Sequence, residues 1–350
     1  MTIGQWFSQL PLLLNVGIFA VCAAIVWVVG SRLTVLADVL SDEFKISRST
    51  IGLLFLALAT SLPEVVTTLT AAVQSQQTLV LNNLFGGIAL QTAILAIADG
   101  FARGALSNYP RKTDHAMQAV LLIALLAIVL IATLLLEPFV IGQVGLGSMV
   151  VVLCYIGVIT LLRNAAGDDN WIPVDLPEPD RQLTNARAAA PEVVTKHPLL
   201  QRAVGLCLVI LVVGVALVHS SVAIASQSGL GTSFIGVTLL ATATSLPELS
   251  TTITAVRVGA YTLAISNIFG SNLIMLALIL PADLLYRDGP ILRLHDINMQ
   301  LSIVAGILVT TVYIVGLLYR RKIRVGNFGI DSILVLIIYL VTVLFFYLSR

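Results

Sequence analysis

Residues 57–72 read ALATSLPEVVTTLTAA and residues 241–256 read ATATSLPELSTTITAV, identical at eleven of sixteen positions with a constant offset of 184. The same offset carries Asn83 to Asn267, Phe85 to Phe269, Gly86 to Gly270, Asp99 to Asp283 and Arg103 to Arg287. The chain is an internal duplication, so any fold it adopts must house two copies of one unit.

Hydropathy says what kind of unit. Of 350 residues, 58% are hydrophobic and 11% charged, with a mean hydropathy of +1.01. Soluble domains carry about 25% charged residues, so a water-soluble enzyme is excluded. Apolar runs near the ~20 residues a bilayer demands fall at 13–34, 51–73, 78–98, 116–136, 138–162, 203–225, 234–256, 262–284, 298–319 and 328–348. The expected fold is an all-α polytopic membrane protein of ten transmembrane helices. The residues before the first run contain no Lys or Arg, so that run reads as a retained span and not as a signal peptide. A net charge of +1 without a basic block argues against nucleic acid as a partner. Cys22, Cys154 and Cys207 are isolated in apolar runs and read as small buried hydrophobes.

Five spans per unit is an odd number, so the second copy enters the membrane in the opposite sense. The layout is therefore 1–163 as the first five-helix repeat, 164–200 as a polar linker and 201–350 as the inverted repeat. Inverted repeats of this type place a substrate site near the midplane where the copies meet. With both termini outside, sixteen of the nineteen Lys and Arg residues fall on the cytoplasmic side, all but Arg287, Arg293 and Arg350. That bias sets the linker in the cytoplasm, in a multi-pass protein of the plasma membrane, the inner membrane in a bacterium. The linker acids Asp168, Asp169, Asp175, Glu178 and Asp180 lack EF-hand spacing and read as a solvated tether. Asp99 with Arg103, and Asp283 with Arg287, stand four apart at span ends and are expected to form helix-end ion pairs.

The chemistry lies in Glu64 and Glu248. A carboxylate at mid-membrane costs about 2.5–3.5 kcal/mol on insertion scales, and no Lys or Arg lies centrally in any span to neutralise either acid. A bound cation or protons remain. Pro63 and Pro247 precede the acids, removing an N–H and breaking the helix, which is tolerated where backbone lines a polar cavity. Thr60 and Ser61, and Thr244 and Ser245, bring hydroxyls to each break. Asn82, Asn83 and Gln91, and Ser266, Asn267, Ser271 and Asn272, add oxygens from the following spans. An all-oxygen set suits Na⁺ and Ca²⁺ over softer metals. Several threonines, among 67, 68, 70, 251, 252 and 254, are expected to bond back to their own helix.

TSLPE in spans two and seven, with Asn82–Ile88 and Ser266–Asn272 in spans three and eight, resembles the two alpha repeats of the sodium/calcium exchanger family and its cation antiporter superfamily. The resemblance implies that Glu64, Thr60, Ser61, Glu248, Thr244 and Ser245 are ion ligands, with the carbonyls of Ala57 and Ala241 serving Na⁺. It also implies alternating access by sliding of spans one and six past spans two, three, seven and eight. The sequence departs from the family's GNxxGSN at Gly87 and Ile88, and carries Gln91 and Met275 where an Asn or Asp is usual. Fewer oxygens than in a three-Na⁺ exchanger follow.

The expected function is a secondary active antiporter exchanging Ca²⁺ for Na⁺ at a midplane carboxylate site. The alternatives are a cation/H⁺ antiporter or an exchanger of another divalent ion. A channel or an intramembrane enzyme fits less well, since no HExxH or GxSxG motif is present and the four histidines do not cluster with the glutamates. No cofactor is expected. Ca²⁺ and Na⁺ are the transported ions, with H⁺ in reserve. The partners are inorganic cations and the lipid bilayer. One chain suffices to build the site, and the sequence sets no oligomeric state.

Overall fold

The computed structural model describes residues 3–110, 114–165, 196–228, 241–294, 296–320 and 323–348. The linker acids and the beginning of the expected span 234–256 lie outside them. The rest is almost wholly helical. In chain order the helices are α1 (Ile3–Gln9), α2 (Leu12–Phe44), α3 (Arg48–Thr60), α4 (Leu62–Val73), α5 (Gln77–Asp99), α6 (Asp114–Leu134) and α7 (Leu146–Ala165). They continue as α8 (Lys196–Gln227), a helical segment at 241–244, α9 (Leu246–Arg257), α10 (Tyr261–Ala277), α11 (Ile279–Leu285), α12 (Ile297–Tyr319) and α13 (Ile330–Leu348).

Among the described residues seven helices are long and apolar enough to cross a membrane, or eight when α3 and α4 count as one bent span. The described residues thus identify up to eight of the expected ten. α9 has only twelve residues and the chain preceding 241 is not described, while the apolar part of α13, Ile330–Phe346, is short. The boundary of the fifth run also changes. Residues 140–145 form an antiparallel hairpin, β1 (Val140–Ile141) with β2 (Val144–Gly145), and helix begins only at Leu146. A matching hairpin, β3 (Arg324–Val325) with β4 (Phe328–Gly329), precedes α13 at the same offset of 184. Gly142 and Gly326 turn these hairpins at φ 68° and 62°, a region only glycine enters freely.

Burial runs outward from α5 and α10. Leu81, Leu84, Phe85, Ile88, Ile268, Phe269 and Leu273 are fully enclosed. By contrast Leu153 on α7, Val212 on α8 and Leu340 on α13 are more than half exposed, as lipid-facing side chains must be. The helices α2 and α8, of 33 and 32 residues, are roughly 50 Å long at 1.5 Å per residue. The hydrocarbon core is about 30 Å thick, so they exceed it even when tilted. They pack along each other, α2 against α9 and α8 against α4. Glycine sets both approaches. A Cβ on Gly30 would strike Ser250 Oγ, and one on Gly214 would stand 2.5 Å from Pro63 Cγ.

Candidate ion-binding site

Each TSLPE segment breaks at its serine. Ser61 has φ −80° and ψ 5°, Ser245 φ −86° and ψ 5°, values that end one helix and let another begin. Pro63 and Pro247 occupy the first turn of α4 and α9, where a missing N–H costs nothing. The bend between α3 and α4 is 51°. Residues Ile51–Leu56 upstream are π-helical, and Gly52 and Gly270 let α3 and α10 touch. This construction puts Glu64 and Glu248 in the first turns of α4 and α9, where the helix dipole favours a negative charge.

Each glutamate faces the hydroxyls of the other TSLPE segment. Glu248 Oε1 accepts hydrogen bonds from Ser61 Oγ and Ser271 Oγ, both at 3.1 Å, and Ser61 and Ser271 bond each other. Thr60 also lies beside Glu248, while Thr244 and Ser245 lie beside Glu64 without an ordinary hydrogen bond to it. The two carboxylates are near enough to repel. Glu64, Glu248, Thr60, Ser61, Thr244, Ser245 and Ser271 are all at most 2% exposed. At the centre the buried oxygens without any hydrogen bond include both of Glu64, Oε2 of Glu248 and Oγ of Ser245; on the adjoining stretches of α9 and α10 Thr252 Oγ1 and the Oδ1 atoms of Asn267 and Asn272 are unbonded too. Leaving such groups unpaired costs roughly 1–3 kcal/mol each, so the centre is built for something that accepts oxygen lone pairs.

The remaining expected residues divide. The amides of Asn83 and Asn267 donate to Thr68 Oγ1 at 3.0 Å and Thr251 Oγ1 at 3.1 Å, one turn beyond each glutamate. Ala57 and Ala241 keep their helical bonds to Ser61 N and Ser245 N, and their carbonyls also accept from Thr60 and Thr244. As anticipated, threonines turn back on their own helices: Thr67 to Pro63, Thr251 to Pro247. Gln91 is fully buried with neither amide atom bonded, and no hydrogen bond links it to the glutamates. Ser266 serves elsewhere, in a buried network with Ser49, His115 and Gln118. Met275 Cε lies 3.0 Å from where a Cβ on Gly87 would stand. A methyl thus occupies one copy at the position where the other presents the Ser271 hydroxyl.

The expected ion pairs do not form. Asp99 accepts the backbone N–H of Leu106 at 2.5 Å and of Gly329 at 2.6 Å. Asp283 accepts those of Ile291 at 2.6 Å and Gly145 at 2.9 Å. Arg287 turns to Gln143. Spacing along one helix suggested a partner four residues on, whereas oriented backbone donors from a loop and from the other half's hairpin each engage one lone pair of the two oxygens. This latch was the main feature the sequence reading missed. The repeated Gly-x-x-Gly at 142–145 and 326–329, in register with the two acids, was its only signal.

A multi-pass helical membrane protein with a buried, oxygen-lined carboxylate centre at paired helix breaks is a transporter of the cation antiporter class. The sodium/calcium exchanger protein family matches residues 14–164 and 200–348, and the chain belongs to it. The chain is 28% identical over 274 residues to the inner membrane protein YrbG of Escherichia coli (strain K12), covering 75% of this chain and 77% of that protein. It is 28% identical over 260 residues to a protein named CaxA of Alkalimonas amylolytica, covering 73% and 75%. Its fold is similar to that of the sodium-calcium exchanger NCX_Mj soaked with 2.5 mM Na⁺ and 0.1 mM Sr²⁺. The TM-score is 0.69 at 17% identity, over 95% of this chain and 99% of that one.

Proposed function

We propose that this protein is a secondary active antiporter that exchanges Ca²⁺ for Na⁺ at Glu64 and Glu248. In this reading it has ten spans, as inverted repeats 1–163 and 201–350 joined by a cytoplasmic linker, 164–200, and sits in the inner membrane as YrbG's name states for that protein. The supporting observation is the reciprocal geometry: each buried glutamate, at a helix break, faces the hydroxyls of the opposite TSLPE segment. Two carboxylates balance one divalent charge, and the unbonded oxygens of Glu64, Glu248, Ser245, Asn267, Asn272 and Thr252 approach the six to eight that Ca²⁺ takes. Thr60, Ser61, Thr244, Ser271 and Asn83 complete the wall, and the Ala57 and Ala241 carbonyls serve Na⁺ when their threonines rotate away. Gln91 joins only after a side-chain rearrangement. Access alternates as α2 and α8, in contact with the bent segments through Gly30 and Gly214, slide past the core.

A second reading, exchange against H⁺, is favoured by the Met275 methyl beside Gly87, which removes oxygens from one side of the centre. The test is flux in proteoliposomes with Ca²⁺, Mg²⁺, Na⁺, K⁺ and H⁺ gradients varied singly. Ca²⁺ uptake driven by an outward Na⁺ gradient at fixed pH supports the first reading. Uptake driven by a pH gradient without Na⁺ replaces it with the second, and uptake driven by neither removes both.

A further inference from the structure

Acids also gather at the end of α5 and, beyond α10, at α11. At the α11 end Glu137 stands beside Asp283, with Arg293 close by and bonded to the carbonyls of Leu136 and Glu137. At the α5 end Asp99 stands beside Asp331, and Arg324, on the hairpin preceding α13, turns both Nη atoms to backbone carbonyls while its Nε stays buried and unbonded. Arg324 donates to the carbonyls of Arg103, Ala102 and Asn327. Among the described residues the ion pairs are those of Arg48 with Asp38 and Asp42, so neither Asp99 nor Asp331 has a basic partner there.

A third group points into this place. Tyr313 is fully buried, its hydroxyl has no hydrogen-bond partner, and it lies within electrostatic reach of both Asp331 and Asp99. Asp331 Oδ2 is likewise buried and unbonded. The Asp331 carboxylate is wedged between two glycines, where a Cβ on Gly316 would collide with Oδ2. A Cβ on Gly329 would stand 2.5 Å from Asp331 Oδ1 and 3.4 Å from Asp99 Oδ2. The hydroxyl of Ser332 adjoins Asp99. A cleft of about 330 Å³, lined by Ser107, Gly316, Tyr319, Ile323, Asp331 and Leu334, opens onto Asp331.

We propose that Asp99, Asp331 and Tyr313 form a second hard-cation site, matched to a divalent ion such as Ca²⁺ and separate from the Glu64–Glu248 centre. Two carboxylates supply the balancing charge, and the phenol and Ser332 supply neutral oxygens, the hard donors that Ca²⁺ requires. Asp99 lies sixteen residues beyond Asn83, about 24 Å along α5, so the two sites do not share ligands. The α11 end, where an arginine already stands beside the acids, has no such need.

The test uses the full-length protein in detergent, with Glu64→Gln and Glu248→Gln combined to disable the central carboxylates. Radioactive Ca²⁺ binding at equilibrium and tyrosine-sensitised Tb³⁺ luminescence are the readouts. One Ca²⁺ per chain should remain in the double variant. Adding Asp331→Asn, which leaves both Asp99 hydrogen bonds in place, should weaken it at least tenfold, and Tyr313→Phe should remove most of the Tb³⁺ emission. The proposal is overturned when the double variant binds no Ca²⁺, or when Asp331→Asn leaves its binding unchanged. Because binding and not flux is read, a failure of the antiport reading would show separately, in the proteoliposomes.

Discussion

Glu64→Gln tests the central carboxylates most cleanly, because neither Glu64 oxygen has a hydrogen bond to lose. The amide keeps the volume and removes only the charge. At 4 Å and an effective dielectric near 20, one carboxylate contributes about 4 kcal/mol per unit of cation charge, and twice that for a divalent ion. Even the smaller figure is close to a thousandfold in affinity, since 1.4 kcal/mol is about tenfold. In wild type, Ca²⁺ at about 100 times its Kd should stabilise the fold by about 2.7 kcal/mol. At roughly 2 °C per kcal/mol for a chain of this size, the melting temperature should rise by about 5 °C. In Glu64→Gln this contribution should vanish, leaving only the smaller shift that Ca²⁺ at the Asp331 site supplies, while the Ca²⁺-free melting temperature should stay level or increase, the repulsion from Glu248 being gone. Thermal unfolding in detergent, with and without Ca²⁺, measures both. An equal Ca²⁺ shift in the two proteins would refute Glu64 as a ligand, and with it the pairing on which the mechanism rests.

Gly270→Ala would place a Cβ 2.8 Å from Ala57 Cβ and Leu53 Cα; overpacking of this kind costs about 1–3 kcal/mol, so melting temperature and flux should both drop. Met275→Asp returns an oxygen to the side where a methyl now abuts Gly87, and divalent flux should become more dependent on Na⁺; steep multi-ion Na⁺ dependence in wild type, unchanged in the variant, would put position 275 outside the site. Burial raises the Glu137 carboxyl above its ordinary range, with Asp283 adding to the rise. Folding then takes up a proton, so this stabilisation is full below the ordinary glutamate value and is lost as pH rises through the folded value; Glu137→Gln should flatten that part of a stability–pH curve. A cysteine at Ala189 should resist an impermeant thiol reagent applied to intact cells, and rapid labelling would reverse the assigned orientation.

The sequence carried the centre of this molecule better than its ends. Proline before glutamate, twice, is a local covalent cause of a helix break, and the structure breaks at Ser61 and Ser245 accordingly. Duplication pointed to a site where the two copies meet, but not to the particular bond by which Ser61 reaches across to Glu248. Gln91 and Ser266 were less legible, because which face of a buried helix meets which neighbour depends on packing angles that polar residue counts do not encode. Ser266 faces His115 and Gln118 on α6, a contact spanning 151 residues in the case of His115. The hairpins escaped notice because two-residue strands leave no periodic pattern, and the Asp99 and Asp283 bonds escaped with them, since backbone N–H groups are invisible to side-chain reasoning.

The latch has a consequence for how such a chain could arise. Asp99, in the first half, holds the Gly329 N–H of the second, and Asp283, in the second half, holds the Gly145 N–H of the first. The exchange is reciprocal, as in a dimer with a two-fold axis. A gene encoding one half, inserted in both orientations, would carry the donor and the acceptor needed to clasp its twin. The covalent linker then adds proximity to a pair whose mutual recognition is already written into each partner.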